Sequence, residues 1–324
     1  MRARVPEAIL ASAWRAPGAR ILGPRAPVVL LYHGVPRSPH AGLSAASFEA
    51  HVRFLTRHFD AVAADELGVL RNRSQRLRVA LTFDDGFGNN ADVVAPILQK
   101  YRVPALFFIS SRHSVAGKYL WFSYLRALER NYPGERLRFR DNSFDMTPRA
   151  RSDSMQRLSA ILLNLRPHPT AMYSAIETEL PPLEEFVAES ELQDCYAGMT
   201  RDQVAQLAAE PLFSVGAHTV DHPFLSRCDA AERLRQIQSN REWLEAVCGQ
   251  PCETIAYPSG DYDTATLDAC RAAGFISGYA VASREDPSSP MEIPRIGIYS
   301  SSTEALGFKM QWGSALRACG LAIG

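Results

Sequence analysis

Two adjacent carboxylates are the first residues in this sequence that could do chemistry. The stretch 82–90 reads Thr-Phe-Asp-Asp-Gly-Phe-Gly-Asn-Asn and follows an apolar run that ends at Leu81, so Asp84 and Asp85 stand where a buried strand breaks into a loop. A twist at a strand end can bring both side chains into one cavity. Two carboxylates in one cavity are unfavourable unless a cation or a proton separates their charges. The alternative is that they cap a helix beginning at Asn90.

Two histidines supply further ligands for a cation. His218 and His222 follow a short apolar strand in the segment 214–226, which reads Ser-Val-Gly-Ala-His-Thr-Val-Asp-His-Pro-Phe-Leu-Ser. Both imidazoles can meet one ion if the turn between them is helical. An aspartate with two histidines suits Zn²⁺ or another divalent first-row metal. A histidine pair alone is more often a surface or packing feature, but beside Asp84 and Asp85 it favours a metal site.

The segments 82–86 and 218–222 together resemble the first two motifs of the polysaccharide deacetylase family, also called the NodB-homology or carbohydrate esterase family 4 fold. Both motifs occur in the family's order, and the resemblance spans roughly 28–298 with one large interruption. It implies that Asp84 is the general base. It also implies three ligands for one divalent metal ion: Asp85, His218 and His222. The expected ion is Zn²⁺, with Co, Ni, Mn or Fe as the other candidates.

The segment 256–260, Ala-Tyr-Pro-Ser-Gly, resembles the family's third motif. The resemblance implies that the backbone N–H of Tyr257 donates to the oxyanion, with Pro258 on the substrate side; the alternative is a plain strand-ending turn. Ala256 replaces the arginine that usually supports the base in this motif. We expect Arg295, from the last predicted strand, to take that place, whereas the alternative for Arg295 is a salt bridge at the rim.

The proton donor for the departing amine is expected to be His33. Most of the family carries a late Leu-x-x-His motif for this role, and no histidine follows Arg295 here. The segment 32–35, Tyr-His-Gly-Val, matches a branch similar to the deacetylases of bacterial poly-N-acetylglucosamine, in which an N-terminal histidine is the acid. The ordinary pKa of an imidazole, about 6.5, suits this task. The alternative is a histidine that only bonds a backbone carbonyl, and we assign no role to the other five histidines.

Alternating strands and helices are expected to position these groups. The predicted strands are 28–32, 61–63, 79–83, 104–110, 212–217, 254–257, 276–281 and 293–298. Strands that alternate with helices predict a parallel sheet, whose carboxyl edge carries the functional groups. Seven or so such units indicate an α/β fold, a distorted (β/α) barrel of about seven strands, which the family resemblance also implies.

The alternation stops between 112 and 197, an interruption far longer than an ordinary connection. The segment has helical spacing and one predicted hairpin about Asp141 and Asn142. Because this mostly helical insertion leaves the carboxyl end of a strand, we expect it to cover the active-site face and to recognise the substrate or its carrier. The alternative is a structural embellishment. The chain thus divides into a leader, a barrel in two parts and an insertion: 1–27, 28–111 with 198–324, and 112–197.

The charge balance, the cysteines and the N-terminal segment limit the binding partners and the compartment to be expected. Thirty-five basic and thirty-five acidic side chains cancel, which argues against nucleic acid as a partner. Six scattered cysteines lack the spacing of a disulfide framework, so we expect free thiols in a reducing compartment. The apolar run 8–14 is too short for a secretory signal, which favours a cytoplasmic protein. The leader is expected to be disordered or to form a basic amphipathic arm at the inner membrane face, a peripheral contact through Ile9, Leu10 and Trp14.

These groups favour a metal-dependent hydrolase of linear amides that removes the N-acetyl group from an N-acetylated sugar, in a glycan or on a lipid or nucleotide carrier. Amide hydrolysis needs an activated water, a counter-charge for the oxyanion and a proton for the amine. Two alternatives remain. A carbohydrate O-acetyl esterase needs the same groups except a strong acid, and a non-catalytic carbohydrate-binding pseudoenzyme would keep the barrel without turnover.

Overall fold

A closed ring of seven parallel strands forms the centre of the protein. The computed structural model describes residues 12, 27–37, 43–67, 76–283, 286 and 288–318. The strands are β1 Val28–Tyr32, β2 Asp60–Ala61, β3 Arg78–Phe83, β4 Ala105–Ile109, β5 Arg136–Phe139, β6 Asn142–Asp145, β7 Phe213–Ala217, β8 Thr254–Ala256, β9 Ser277–Ala280 and β10 Ile293–Gly297. The ring runs β1-β10-β9-β8-β7-β4-β3 and closes where β3 pairs with β1, while β2 extends β3 outside it.

Helices surround this ring and build most of the insertion. The α-helices span Ala45–His58, Ala95–Tyr101, Trp121–Asn131, Arg151–Leu165, Pro169–Glu179, Glu189–Glu191, Arg201–Ala209, Ala230–Cys248, Thr264–Ala272 and Thr303–Ala318. Single π-helical turns cover Asn90–Val94 and Leu192–Tyr196. The predicted fold, a (β/α) barrel of about seven strands with a mostly helical insertion, is confirmed.

Continuous apolar runs explain the barrel. Every residue of β1 and of β4 is buried, as expected for parallel strands that are covered on both faces. The helix Ala45–His58 buries Phe48, Val52 and Leu55 against this core, and the Ser44 side chain caps it by accepting from a backbone N–H. The carboxyl ends of the strands therefore meet at one edge of a rigid frame.

The insertion has an apolar core of its own. Buried side chains from three helices and the hairpin β5–β6 form one cluster, which includes Leu128, Phe144, Leu158 and Met172. The hairpin is antiparallel and pairs Phe139 with Asn142. Its turn therefore lies at 140–141, one residue earlier than predicted.

Several sequence-based expectations concern the chain's periphery. The leader 1–27 lies outside the described residues, apart from Ser12 and Pro27. Within the described part of the chain, no helix has both the length and the apolarity that crossing a membrane requires. Five cysteines are free thiols, as expected, and the sixth, Cys319, lies outside the described residues.

Candidate active site

The two adjacent carboxylates enter one buried space at the end of β3. Asp85 and Gly86 both adopt left-handed backbone conformations with φ of +75°, so the chain turns sharply after Asp84. A side chain at Gly86 would be strained, and its Cβ would lie 2.9 Å from the side chain of Ile109. The turn Asn90–Val94 has no side-chain cap, so the structure does not show the capping alternative.

The two histidines come together through a loop that is not helical. His218 follows β7, and Thr219 and His222 adopt positive φ values of +66° and +53°. The Thr219 hydroxyl accepts from the N–H of His222 at 3.1 Å and closes the loop. The turn between the two histidines is therefore not helical, although a helical turn was named as the condition for both rings to meet one ion, and the ring centroids nevertheless lie 5.0 Å apart. A non-glycine residue in the left-handed backbone conformation costs of order 1–3 kcal/mol, and residues strained in this way cluster at functional sites.

One carboxylate oxygen lies between the two imidazoles. Asp85 Oδ1 is 3.4 Å from His218 Nε2 and 3.4 Å from His222 Nε2. This oxygen is buried without a hydrogen-bond partner, and the three ligand atoms lie within 4.8 Å of one another. The Nδ1–H of His218 donates to the Ala256 carbonyl at 2.8 Å, which turns its Nε2 toward Asp85. An orphaned carboxylate oxygen facing two ring nitrogens fits a divalent cation.

The pKa shifts of Asp85 and His222 favour the protonation states that a divalent cation needs in its ligands. Burial opposes ionisation of Asp85, but its interaction with His218 and the charges of His33 and His222 hold the pKa of that carboxyl well below its usual range. Burial lowers the pKa of His222 well below its usual value, and the charge of Arg166 lowers it further. A charged carboxylate and a neutral imidazole are the forms that bind a divalent cation.

The other carboxylate, Asp84, is held by Arg295. The guanidinium Nη1 and Nη2 atoms lie 2.6 Å from Oδ1 and 2.8 Å from Oδ2. Nη1 also donates to the Thr82 hydroxyl at 3.2 Å. Arg295 is fully buried, so the structure places it inside the barrel at the expected partner and not at the rim. Asp84 Oδ2 lies 3.8 Å from His218 Nε2, beside the three-residue cluster.

His33 lies at the same end of the barrel as the carboxylates. Tyr32 of β1 pairs with Phe83 of β3, so His33 and Asp84 are the next residues on neighbouring strands. The N–H of Asp84 donates to the Tyr32 carbonyl at 3.0 Å and extends that register. The His33 ring stacks on Tyr299 with centroids 5.9 Å apart. Its role as proton donor stays a prediction.

The third motif differs from expectation. The N–H of Tyr257 donates to the Tyr279 carbonyl at 3.1 Å, because the ladder between β8 and β9 continues one residue past β8. The expected oxyanion donor is therefore already bonded within the sheet, and we correct that prediction. The Tyr257 hydroxyl donates to the Met291 carbonyl at 2.8 Å. Pro258 is buried and begins a short turn, in which Ser259 has a φ of +56°.

The sequence analysis missed Arg166, which reaches the cluster from the insertion. Its Nε donates to the His222 carbonyl at 3.1 Å, and its Nη2 lies 2.9 Å from His222 Nδ1 and from Ser259 Oγ. The guanidinium is buried and packs 3.5 Å from the centre of the Phe224 ring. A guanidinium only donates, whereas a neutral His222 ring that binds a cation through Nε2 carries its proton on Nδ1, so we assign the hydrogen bonds of Arg166 to the His222 carbonyl and to Ser259 and not to Nδ1. Arg166 follows a helix end and no motif marks it.

His113 is a second residue that the sequence analysis left without a role. It is buried, with Nδ1 3.1 Å from the Asp85 carbonyl and Nε2 2.8 Å from the Tyr196 carbonyl. Burial lowers the pKa of this imidazole. His113 thus joins the strained backbone of Asp85 to the end of the insertion. An isolated histidine between predicted elements gave no signal for this contact.

Buried acid–base side chains at the carboxyl ends of parallel barrel strands have the form of a barrel enzyme's active site. The sequence model of the polysaccharide deacetylase family matches residues 71–138 and 171–277, more than half of the chain. The chain belongs to the polysaccharide deacetylase family. The predicted class, a polysaccharide deacetylase, is confirmed at the level of the family. The family is generally metal-dependent, and the cluster of Asp85, His218 and His222 is a possible site.

Solved structures share the fold. The Streptococcus pyogenes deacetylase PplD, in complex with acetate, is similar with a TM-score of 0.56 and 16% identity over 88% of this chain and 97% of that chain. IcaB from Ammonifex degensii is similar with a TM-score of 0.57 and 17% identity, over 89% of this chain and 98% of that chain. The BpsB deacetylase domain from Bordetella bronchiseptica is similar with a TM-score of 0.52 and 15% identity, over 85% of this chain and 97% of that chain. No curated protein matches in sequence.

Proposed function

We propose that the protein removes the N-acetyl group from an N-acetylated sugar in a reaction that depends on one divalent metal ion. The observation that carries this proposal is the unpartnered oxygen of Asp85 at 3.4 Å from both His218 Nε2 and His222 Nε2. Membership of the polysaccharide deacetylase family supports a carbohydrate substrate. The ligand set, one oxygen and two nitrogens, suits Zn²⁺ first among divalent first-row ions.

A divalent ion held by Asp85, His218 and His222 would supply Lewis acidity to the acetyl carbonyl and to the attacking water. Asp84 is the general base that takes a proton from that water. Arg295 fixes both oxygens of Asp84 in one orientation, and each oxygen keeps a lone pair for the proton. His33, one residue beyond β1, donates a proton to the departing amine, which leaves with acetate as the second product.

The insertion forms part of the site's wall in this proposal. Arg166 holds the His222 carbonyl and Ser259 together, and the Tyr173 hydroxyl donates to the Asp221 carbonyl at 3.1 Å. Phe122 packs against the His222 ring at 5.1 Å. Contacts this close to a candidate ligand favour a role in shaping the substrate site. The carrier of the sugar, whether a glycan, a lipid or a nucleotide, and the cytoplasmic location stay predictions.

An acetate-release screen tests the proposal. Protein loaded with Zn²⁺ is assayed on N-acetylhexosamines presented free, as an oligosaccharide, on a nucleotide and on polyprenyl phosphate. We expect acetate and a new primary amine in equal amounts from at least one presentation. Acetate released from O-acetyl esters but from no N-acetyl sugar would replace the proposal with an esterase. Metal-loaded protein that binds these sugars without releasing acetate would indicate a pseudoenzyme.

A further inference from the structure

An exposed aromatic side chain borders the candidate active site. Tyr299 lies two residues beyond the end of β10 and is 56% exposed. Among the large hydrophobic side chains that are exposed in the described part of the chain, it is the aromatic one. Exposed aromatic rings beside a polar cleft are common at sites that bind ligands with an apolar face. Nothing in the catalytic proposal uses this ring.

Strand register sets Tyr299 beside His33. Leu31 of β1 pairs with Gly297 of β10, and the N–H of Ile298 donates to the Leu31 carbonyl at 2.9 Å. His33 and Tyr299 are therefore equivalent positions, each two residues beyond a paired residue on neighbouring strands. Their rings stack with an interplanar angle of 27°. One face of the tyrosine ring is thus covered by the candidate acid.

A glycine makes room for this arrangement. A Cβ at Gly297 would lie 2.7 Å from the Tyr299 Cε2 atom and 3.1 Å from its hydroxyl oxygen. The tyrosine ring consequently folds back over the end of β10, and its hydroxyl end lies inward. Burial of that hydroxyl, with the charge of Asp84, raises the pKa of Tyr299 although more than half of the side chain is exposed. The phenol end of the ring therefore packs against the end of β10, and more than half of the side chain stays exposed.

We propose that Tyr299 is a substrate-binding residue, on whose exposed ring the apolar face of a sugar unit stacks, on the side away from His33. This inference rests on the proposed function, because it names where the carbohydrate lies. Because His33 covers the other face, the tyrosine ring lies between the stacked sugar and the candidate acid, so the stacked unit is the neighbour of the sugar whose acetyl group reaches Asp84. Stacking contributes to binding of the ground state, so its loss affects KM more than kcat.

The test distinguishes the contribution of the Tyr299 ring to binding from that of its hydroxyl and from any change in protein stability. Tyr299→Leu removes the ring, and Tyr299→Phe keeps it. Ile276→Ala is the control, since Ile276 is 61% exposed and precedes β9 at the opposite end of the barrel. Binding of an N-acetylglucosamine tetrasaccharide at millimolar concentrations is followed by saturation-transfer and titration NMR, with thermal unfolding of each variant alongside.

We expect Tyr299→Leu to weaken tetrasaccharide binding by about three- to ten-fold, while Tyr299→Phe and Ile276→Ala stay within about two-fold of wild type. Where acetate is released, KM rises and kcat changes by less than about three-fold. Three results would overturn the inference: no binding by the wild type, unchanged binding by Tyr299→Leu, or equal losses in the Leu and Phe variants. Binding through Tyr299 without acetate release would instead count against the proposed function alone.

Discussion

Arg295 binds both carboxylate oxygens of Asp84, through Nη1 at 2.6 Å and Nη2 at 2.8 Å. Asp84 directly follows β3 and Arg295 lies in β10, so the two residues are 211 positions apart in the chain. Ala256 stands where the family's third motif usually has an arginine, so the arginine that orients Asp84, the proposed base, comes here from β10. A bidentate arginine both orients a carboxylate and keeps it paired in a buried setting.

Replacing Arg295 by lysine tests this support. A lysine keeps the charge but cannot form two parallel hydrogen bonds, so Asp84 is expected to lose its orientation and kcat to fall by on the order of 100-fold. Acetate release and bound metal are measured together, and metal content is expected to stay unchanged. Arg271→Lys is the control, because Arg271 pairs with Asp268 at the surface. An Arg295→Lys variant as active as Arg271→Lys would show that orientation of the base is unimportant.

A comparison of two arginines of the insertion tests whether Arg166 acts on the candidate active site or only stabilises the fold. Arg166 donates to His222 and Ser259, whereas Arg151 donates to the backbone carbonyls of Met146, Glu129 and Tyr132. We expect Arg166→Met to lower kcat by about ten- to a hundred-fold, since it loses an outer contact of a candidate ligand. Arg151→Met should stay within about two-fold. Kinetics are compared per mole of folded protein, and equal losses would assign Arg166 to stability alone.

His33 should matter more for amides than for esters. An amine is a poor leaving group unless it is protonated, so His33→Ala is expected to lower N-acetyl hydrolysis by about 10²–10⁴-fold. Hydrolysis of an aryl acetate, whose leaving group needs no proton, should fall far less. Exposed His168, in the insertion, provides the control as His168→Ala. Equal losses on both substrates would remove His33 from the role of acid.

Stability should depend on pH through His51, a buried residue of the helix Ala45–His58. Burial lowers the pKa of His51 to about 4, from 6.5. Between these values the unfolded chain binds a proton that the native protein does not, so the free energy of unfolding rises with pH. His51→Gln should reduce the difference in this free energy between pH 5 and pH 7 by about 2 kcal/mol. Urea unfolding at both pH values measures it, and an unchanged difference contradicts the assignment.

The sequence predicted the barrel because parallel strands read as uninterrupted apolar runs. It also predicted that Asp84, Asp85, His218 and His222 would meet, since each pair follows a strand and strand ends share one edge. The local backbone conformation of the site was harder to predict from the sequence. The turn before His222, for which the sequence analysis considered only a helical geometry, is a loop with two left-handed residues. These residues are a threonine and a histidine, and neither type predicts a positive φ.

Long-range contacts were harder to predict. Tyr257 was expected to offer its N–H to substrate, but as the last residue of the predicted strand 254–257 it donates that N–H to Tyr279 of the neighbouring strand. Arg166 lies between two helices of the insertion and outside the ranges that the family model matches. Its approach to His222 depends on how the insertion packs on the barrel, which no spacing in the sequence encodes. Arg295 was found only because the usual arginine was missing.

Asp84 and Asp85 are neighbours to which we assign different tasks, and separating those tasks tests the central claim most directly. Bound Zn²⁺ and acetate release are measured for Asp84→Asn, Asp85→Asn and wild type after chelation and reloading. We expect about one equivalent of zinc in the wild type and in Asp84→Asn, little in Asp85→Asn, and acetate release by the wild type alone. Full activity in chelated protein, or an Asp85→Asn variant that still binds zinc and releases acetate, would contradict it.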